Sequence, residues 1–121
     1  MKLYVDDIRP APEGWQQART VTDAIRFLSM FGEQVNEISL DHDISYAVEV
    51  AGTQRPFPSP ENFTAVAMYI RTMYISNGFV LPEITIHSAN PVGAKELSNI
   101  LCEFSVKIAP ESRVNRLESE V

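Results

Sequence analysis

The sequence predicts a three-layer α/β domain built on a mostly parallel sheet. Three observations lead there. Short strand-like runs at residues 3–5, 38–40 and 83–86 alternate with amphipathic helical stretches. Each run stops abruptly at polar side chains: Asp6-Asp7, Asp41-His42-Asp43 and His87-Ser88-Ala89-Asn90. The chain has 121 residues, 45% of them hydrophobic, which suits one domain with one core.

Each element follows from local chemistry. Leu3-Tyr4-Val5 reads as a buried parallel strand, and Pro10, Pro12 and Gly14 make the stiff loop after it. Thr22 is the expected N-cap of a first helix that buries Ala24, Ile25, Leu28 and Phe31 and closes at Gly32. Ile38-Ser39-Leu40 is the second strand. In residues 44–58, Tyr46, Val48 and Val50 alternate and Gly52-Thr53 can turn them into a hairpin or a flap. Ser59-Pro60 is the expected start of a second helix, which buries Phe63, Val66, Ala67, Ile70, Met73 and Tyr74, with Met68 also assigned to the core, and ends at Asn77-Gly78. Glu83-Ile84-Thr85-Ile86 is the third strand. A last helix presents Leu97, Ile100, Leu101 and Phe104 to the core, and residues 105–109 form a short final strand. The domain is expected over 1–110, with a lid insertion at 44–58 and a frayed tail at 111–121. Trp15 is expected against an edge of the core.

Composition narrows the function classes. Sixteen acidic residues against ten basic ones leave a net charge of −6. That surface is a poor footprint for long duplex nucleic acid, whose phosphates are bound through Lys and Arg. A nucleotide or a short RNA end remains compatible with it. Cys102 is the single cysteine, so an intrachain disulfide is excluded and a cytoplasmic setting is expected. No apolar run approaches the length of a membrane span, and the N-terminus meets two aspartates too early for a signal peptide.

In a parallel α/β sheet, ligands bind beyond the carboxyl ends of the strands. The strand ends here hold both histidines of the chain and most of its clustered carboxylates. Aspartates supply hard oxygen ligands for Mg²⁺, so Asp6, Asp7, Asp41 and Asp43 are the candidate metal ligands. His42 and His87 can divide general base and general acid work near neutral pH, with Asp41 as a further catalytic candidate. Arg9, Ser88 and Asn90 are the candidate phosphate-binding groups. Together these residue types favour phosphoryl chemistry. The chain lacks a P-loop, a dinucleotide fingerprint and zinc-ligand spacing. A Ser88–His87 nucleophile pair is disfavoured, since neighbours along a strand point to opposite faces. Crowded carboxylates repel, so at least one is expected to hold a proton unusually well.

Val5-Asp6-Asp7, strand-end Asp41 and Ser88-Ala89 resemble a response-regulator receiver domain. More specifically, three motifs resemble the cyclic-phosphate processing receiver domains over residues 1–104. They are Val5-Asp6-Asp7-Ile8-Arg9-Pro10 with Pro12-Glu13-Gly14-Trp15, then Ser39-Leu40-Asp41-His42-Asp43, then Ile86-His87-Ser88-Ala89-Asn90-Pro91-Val92-Gly93. The resemblance implies a receiver-like (flavodoxin-like) fold and processing of a cyclic phosphate, such as a 2′,3′-cyclic RNA end or a cyclic nucleotide, in bacterial or phage RNA repair. Ile44-Ser45 and Glu61-Asn62-Phe63 depart from the family pattern, and Lys107 is the candidate for the lysine that follows a receiver's last strand.

The expectation is therefore a phosphoesterase acting on a cyclic phosphate, with a small nucleotide or an RNA end as substrate. Two alternatives stay open: a non-enzymatic receiver phosphorylated on Asp41, and a module that binds a cyclic nucleotide without turnover. A simple phosphoacceptor needs no acid–base pair, whereas phosphodiester hydrolysis does. The oligomeric state is not legible in the sequence.

Overall fold

The computed structural model describes residues 1–109, with residues 45–50 and 54–60 described as backbone alone; the expected tail at 111–121 lies outside the described residues. The elements are β1 (Lys2–Val5), β2 (Gln16–Ala18), α1 (Val21–Phe31), β3 (Glu37–Leu40), β4 (Asp43–Val50), β5 (Thr53–Asn62), α2 (Thr64–Asn77), β6 (Glu83–Ile86), α3 (Pro91–Ile100) and β7 (Val106–Ile108). The main sheet has the order β2-β1-β3-β6-β7 with every pair parallel. With the β4–β5 hairpin set aside, this is the flavodoxin-like order, and the fold is an α/β receiver-like one.

Leu3, Val5, Ile38, Leu40, Ile84 and Ile86 share one face of the sheet and are 0–1% exposed. Against them pack Ala24 and Leu28 of α1, Val66, Ala67, Ile70 and Tyr74 of α2, and Ala94 and Leu97 of α3. The helices lie side by side, α1 against α2 and α2 against α3. This follows from connectivity: β2→α1→β3, β3→α2→β6 and β6→α3→β7 all advance in one direction across the sheet, and right-handed crossovers place such helices on one face. The opposite face carries Gln17, Tyr4, Ser39 and Thr85. Among the described residues its cover is the loop between β1 and β2 rather than a helix. As expected for a packed loop residue, Trp15 meets Tyr4 edge-on at 6.2 Å.

Four local expectations are corrected. β2 was hidden within the proline-rich loop, because a three-residue strand with two glutamines has no apolar signature; ladder pairing with β1 makes it a strand. Gln17 also fastens that loop: its Nε2 donates to the carbonyls of Asp6 (2.9 Å) and Arg9 (3.1 Å). The N-cap of α1 is Thr20 rather than Thr22, its hydroxyl oxygen accepting from the Asp23 amide at 3.0 Å. Ser59-Pro60 does not start α2, since pairing with β4 keeps the chain extended through Asn62; the Asn62 carboxamide then accepts from the Thr64 amide at 3.0 Å. The hairpin expected in 44–58 is present and extends to both sides of that range. Met68 is 58% exposed, because the buried stripe of α2 runs through Val66, Ala67, Ile70 and Tyr74 and leaves it outside. Among the described residues no helix is long and apolar enough to cross a membrane.

Candidate functional site

The parallel ladders continue one residue past the strands. The Asp6 amide donates to Ala18 O, the Asp41 amide to Val5 O and the His87 amide to Leu40 O, at 2.9–3.0 Å. Backbone pairing alone therefore sets Asp6, Asp41 and His87 in one row at the carboxyl edge of the sheet. β1, β3 and β6 are direct neighbours, so residues distant in sequence meet there.

Asp6 is 1% exposed and fully engaged. Its Oδ1 accepts from the amides of Ile8 and Arg9, both at 2.8 Å, and its Oδ2 lies 3.0 Å from His87 Nε2. Burial pushes its pKa up, but the His87 and amide hydrogen bonds outweigh that and hold the carboxyl below its ordinary value. His87, also 1% exposed, sits 2.6 Å from Ser39 Oγ through Nδ1. A carboxylate only accepts, so the tautomer that suits this site carries its proton on Nε2 toward Asp6, and Nδ1 then accepts from the serine hydroxyl. Tyr4 stacks flat on the imidazole, with ring centroids 4.4 Å apart.

Asp6, Asp7 and Asp41 each offer an oxygen within 4.8 Å of the others. Burial and the negative charge of Asp6 raise the Asp41 pKa to about 6, against the lowering pull of the His42 amide, His87 and Arg9. This is the carboxyl that crowding leads one to expect. Asp6, Asp7, Ile8, Arg9, Asp41, Asp43 and Ala89 line a crevice of about 190 Å³. Arg9 lies along it, with its guanidinium donating to His87 O at 2.5 Å and Nε 4.0 Å from Asp6 Oδ2.

Beside the crevice, His42 Nδ1 lies 2.7 Å from Asp43 Oδ1, and Asn90 Nδ2 donates to the same oxygen at 3.2 Å. His42 is buried. Its Nε2 has no hydrogen-bond partner among the described residues, and the Glu96 carboxylate is 3.7 Å away. Asn90 caps α3 by accepting from the amides of Val92 and Gly93 at 3.1 Å. Ser88, 2% exposed, accepts from the Asn90 amide and so shapes the turn.

The fold thus brings the carboxylates and Arg9 into one crevice and places both histidines behind it, each on a different carboxylate. Ser88 and Asn90 build the turn into α3. Asp43 lines the crevice but lies outside the three-carboxylate cluster, its Oδ1 bonded to His42 and Asn90. Sequence reasoning missed Ser39 as the partner of His87. The available signal was a hydroxyl at the centre of an otherwise apolar buried strand. It also missed Gly93, where a Cβ would lie 2.4 Å from the His42 ring.

The donor set fits a hard divalent cation. Three carboxylate oxygens converge within 4.8 Å of one another, and the negative charge of Asp6 adds to burial in raising the Asp41 pKa. No curated protein and no solved structure matches the chain. The family model of the cyclic-phosphate processing receiver domain matches residues 1–103. With the receiver strand order and the strand-end acidic cluster in place, the chain belongs to the family of cyclic-phosphate processing receiver domains.

Proposed function

We propose that the crevice hydrolyses a cyclic phosphodiester to a phosphomonoester, with a small nucleotide or an RNA end as substrate. The observation that carries this reading is the convergence of Asp6, Asp7 and Asp41 beside Arg9 in one crevice at the sheet edge. Asp6, Asp7 and Asp41 would hold Mg²⁺, which supplies charge neutralisation of the phosphate when bound. At about 190 Å³ the crevice is smaller than the roughly 300–1,000 Å³ of whole-ligand pockets, so it suits a phosphate group with the nucleoside left outside.

The chain's own groups then divide the work. Arg9 faces the phosphate oxygens. His87 keeps Asp6 ionised by donating to it, and Ser39 donates to the other ring nitrogen of the tautomer that allows this. Asp43, backed by His42, takes the proton of the attacking water as its oxygen bonds to phosphorus. The ring P–O bond breaks, and the same proton returns to the departing oxygen. The histidines act through carboxylates rather than on substrate directly. A plain phosphoacceptor role fits less well, because the residue following β7 is Ala109 and Lys107 stands mid-strand, where a receiver needs a lysine after its last strand. The single cysteine supports a cytoplasmic setting.

Phosphorus NMR of 2′,3′-cyclic nucleotide incubated with protein and Mg²⁺ tests the reading. The expected result is conversion to the monoester. Recovery of bound, unchanged ligand would make the domain a binding module. Mass gain at Asp41 with acetyl phosphate and no turnover of cyclic phosphate would make it a phosphoacceptor.

A further inference from the structure

Beyond Asp43 at its first position, the β4–β5 ribbon takes no part in the chemistry above, yet its backbone is unusually asymmetric. Ala51 and Gly52 join the strands with φ of 52° and 78°, the two positive values of a type I′ turn. The flanking pair Val50–Thr53 of such a two-residue hairpin is hydrogen-bonded, and pairs alternate from there. Glu49–Gln54, Ala47–Pro56 and Ser45–Pro58 are therefore the pairs whose N–H and C=O groups point away from the ribbon. On β5 that outer edge has no donor at Pro56 or Pro58, and Pro60 follows at the same spacing. On β4 the outer edge keeps the N–H and C=O of Ser45, Ala47 and Glu49. Among the described residues neither edge is paired.

We propose that β4 pairs antiparallel with β4 of a second copy of this chain, about a two-fold axis at Ala47. The outward groups at 45, 47 and 49 are symmetric about 47, so an inverted copy sets each residue opposite a complementary one. Ala47 then faces Ala47, and Ser45 faces Glu49 of the second copy, so no like charges oppose. The two ribbons become one four-stranded sheet, which answers the marginal stability of an isolated two-stranded hairpin in water. The prolines complete the logic. With one edge open and the other blocked, pairing closes at a dimer and cannot run on into a fibre.

Sedimentation equilibrium on the full chain, up to about 100 µM, tests this. Wild type should dimerise. Ala47→Pro should be monomeric with its hairpin intact, because the Ala47 N–H is not used within the ribbon. Ala47→Cys in a Cys102→Ser background should cross-link between copies under mild oxidation, since opposed Cα atoms about 5.5 Å apart suit a disulfide. Arg55→Cys in the same background should not. A wild-type monomer throughout, an Ala47→Pro dimer, or equal cross-linking of the two cysteine variants would each overturn the proposal.

Discussion

His87 Nε2 lies 3.0 Å from Asp6 Oδ2, with both side chains 1% exposed, so a buried carboxylate depends on one imidazole proton. Removing one partner of such a pair leaves the other buried and uncompensated, at a cost of roughly 3 kcal/mol. His87→Ala should therefore destabilise the fold by about that much and also lower turnover and Mg²⁺ affinity. Urea unfolding of His87→Ala, Asp6→Ala and the double variant checks this. The two losses should be clearly less than additive, and simple additivity would show that the pair is not a unit.

Asp41 carries the opposite charge balance. Its pKa rises from 3.8 to about 6 on folding, so the folded protein binds this proton more tightly than the unfolded chain does. Stability from this group is fullest at low pH and is lost as the pH climbs from 3.8 to about 6, a cost reaching up to about 3 kcal/mol above that window. Asp41→Asn should accordingly stabilise the metal-free protein at pH 7 while abolishing turnover, and its advantage should fade below about pH 6. Thermal melts across pH read this directly. Mg²⁺ should raise the melting temperature of wild type more than that of Asp41→Asn. Equal shifts would remove Asp41 from the metal site.

Asp6 responds to acid with the other sign. Its pKa is held below the ordinary 3.8, so the stability it contributes is present above that value and is lost as the pH falls through the lower folded one. Asp6→Asn should thus destabilise at neutral pH, where Asp41→Asn stabilises. Paired melts of the two variants at pH 7 decide it, and stabilisation by both would refute the separation of their roles.

Gly93 holds α3 against the His42 ring, with a hypothetical Cβ 2.4 Å from Cγ and Nδ1. Gly93→Ala must push the imidazole off Asp43, with an overpacking cost of about 1–3 kcal/mol. Turnover of Gly93→Ala should fall about as far as that of His42→Ala, roughly 100-fold for a lost proton-transfer arrangement. Near wild-type kinetics in either variant would take the His42–Asp43 pair out of the reaction.

Ala51 occupies the left-handed region at φ 52°, where a side chain costs about 1 kcal/mol that glycine avoids. Ala51→Gly should tighten the turn and slow amide exchange along β4 and β5. Faster exchange in the variant would contradict the type I′ assignment.

The alternation of apolar runs with helical stretches was enough to place β1, β3, β6 and the three helices, because burial against a single core imposes those periods locally. The same reading located every carboxylate of the crevice, since a parallel sheet gathers whatever follows its strands. Helix starts and β2 escaped it: pairing with β4 overrides the Ser59-Pro60 start signal, and pairing with β1 makes a strand of Gln16–Ala18. The roles of the histidines were likewise a tertiary decision. At the sequence level His42 and His87 are equivalent strand-end imidazoles. Ladder register sets His87 in the row of Asp6 and Asp41, where its ring bonds Ser39 and Asp6, and the close approach of α3 at Gly93 packs against His42, whose ring bonds Asp43. Residue type sets what a side chain can exchange with its surroundings, whereas packing between elements far apart in the chain sets which partner it meets.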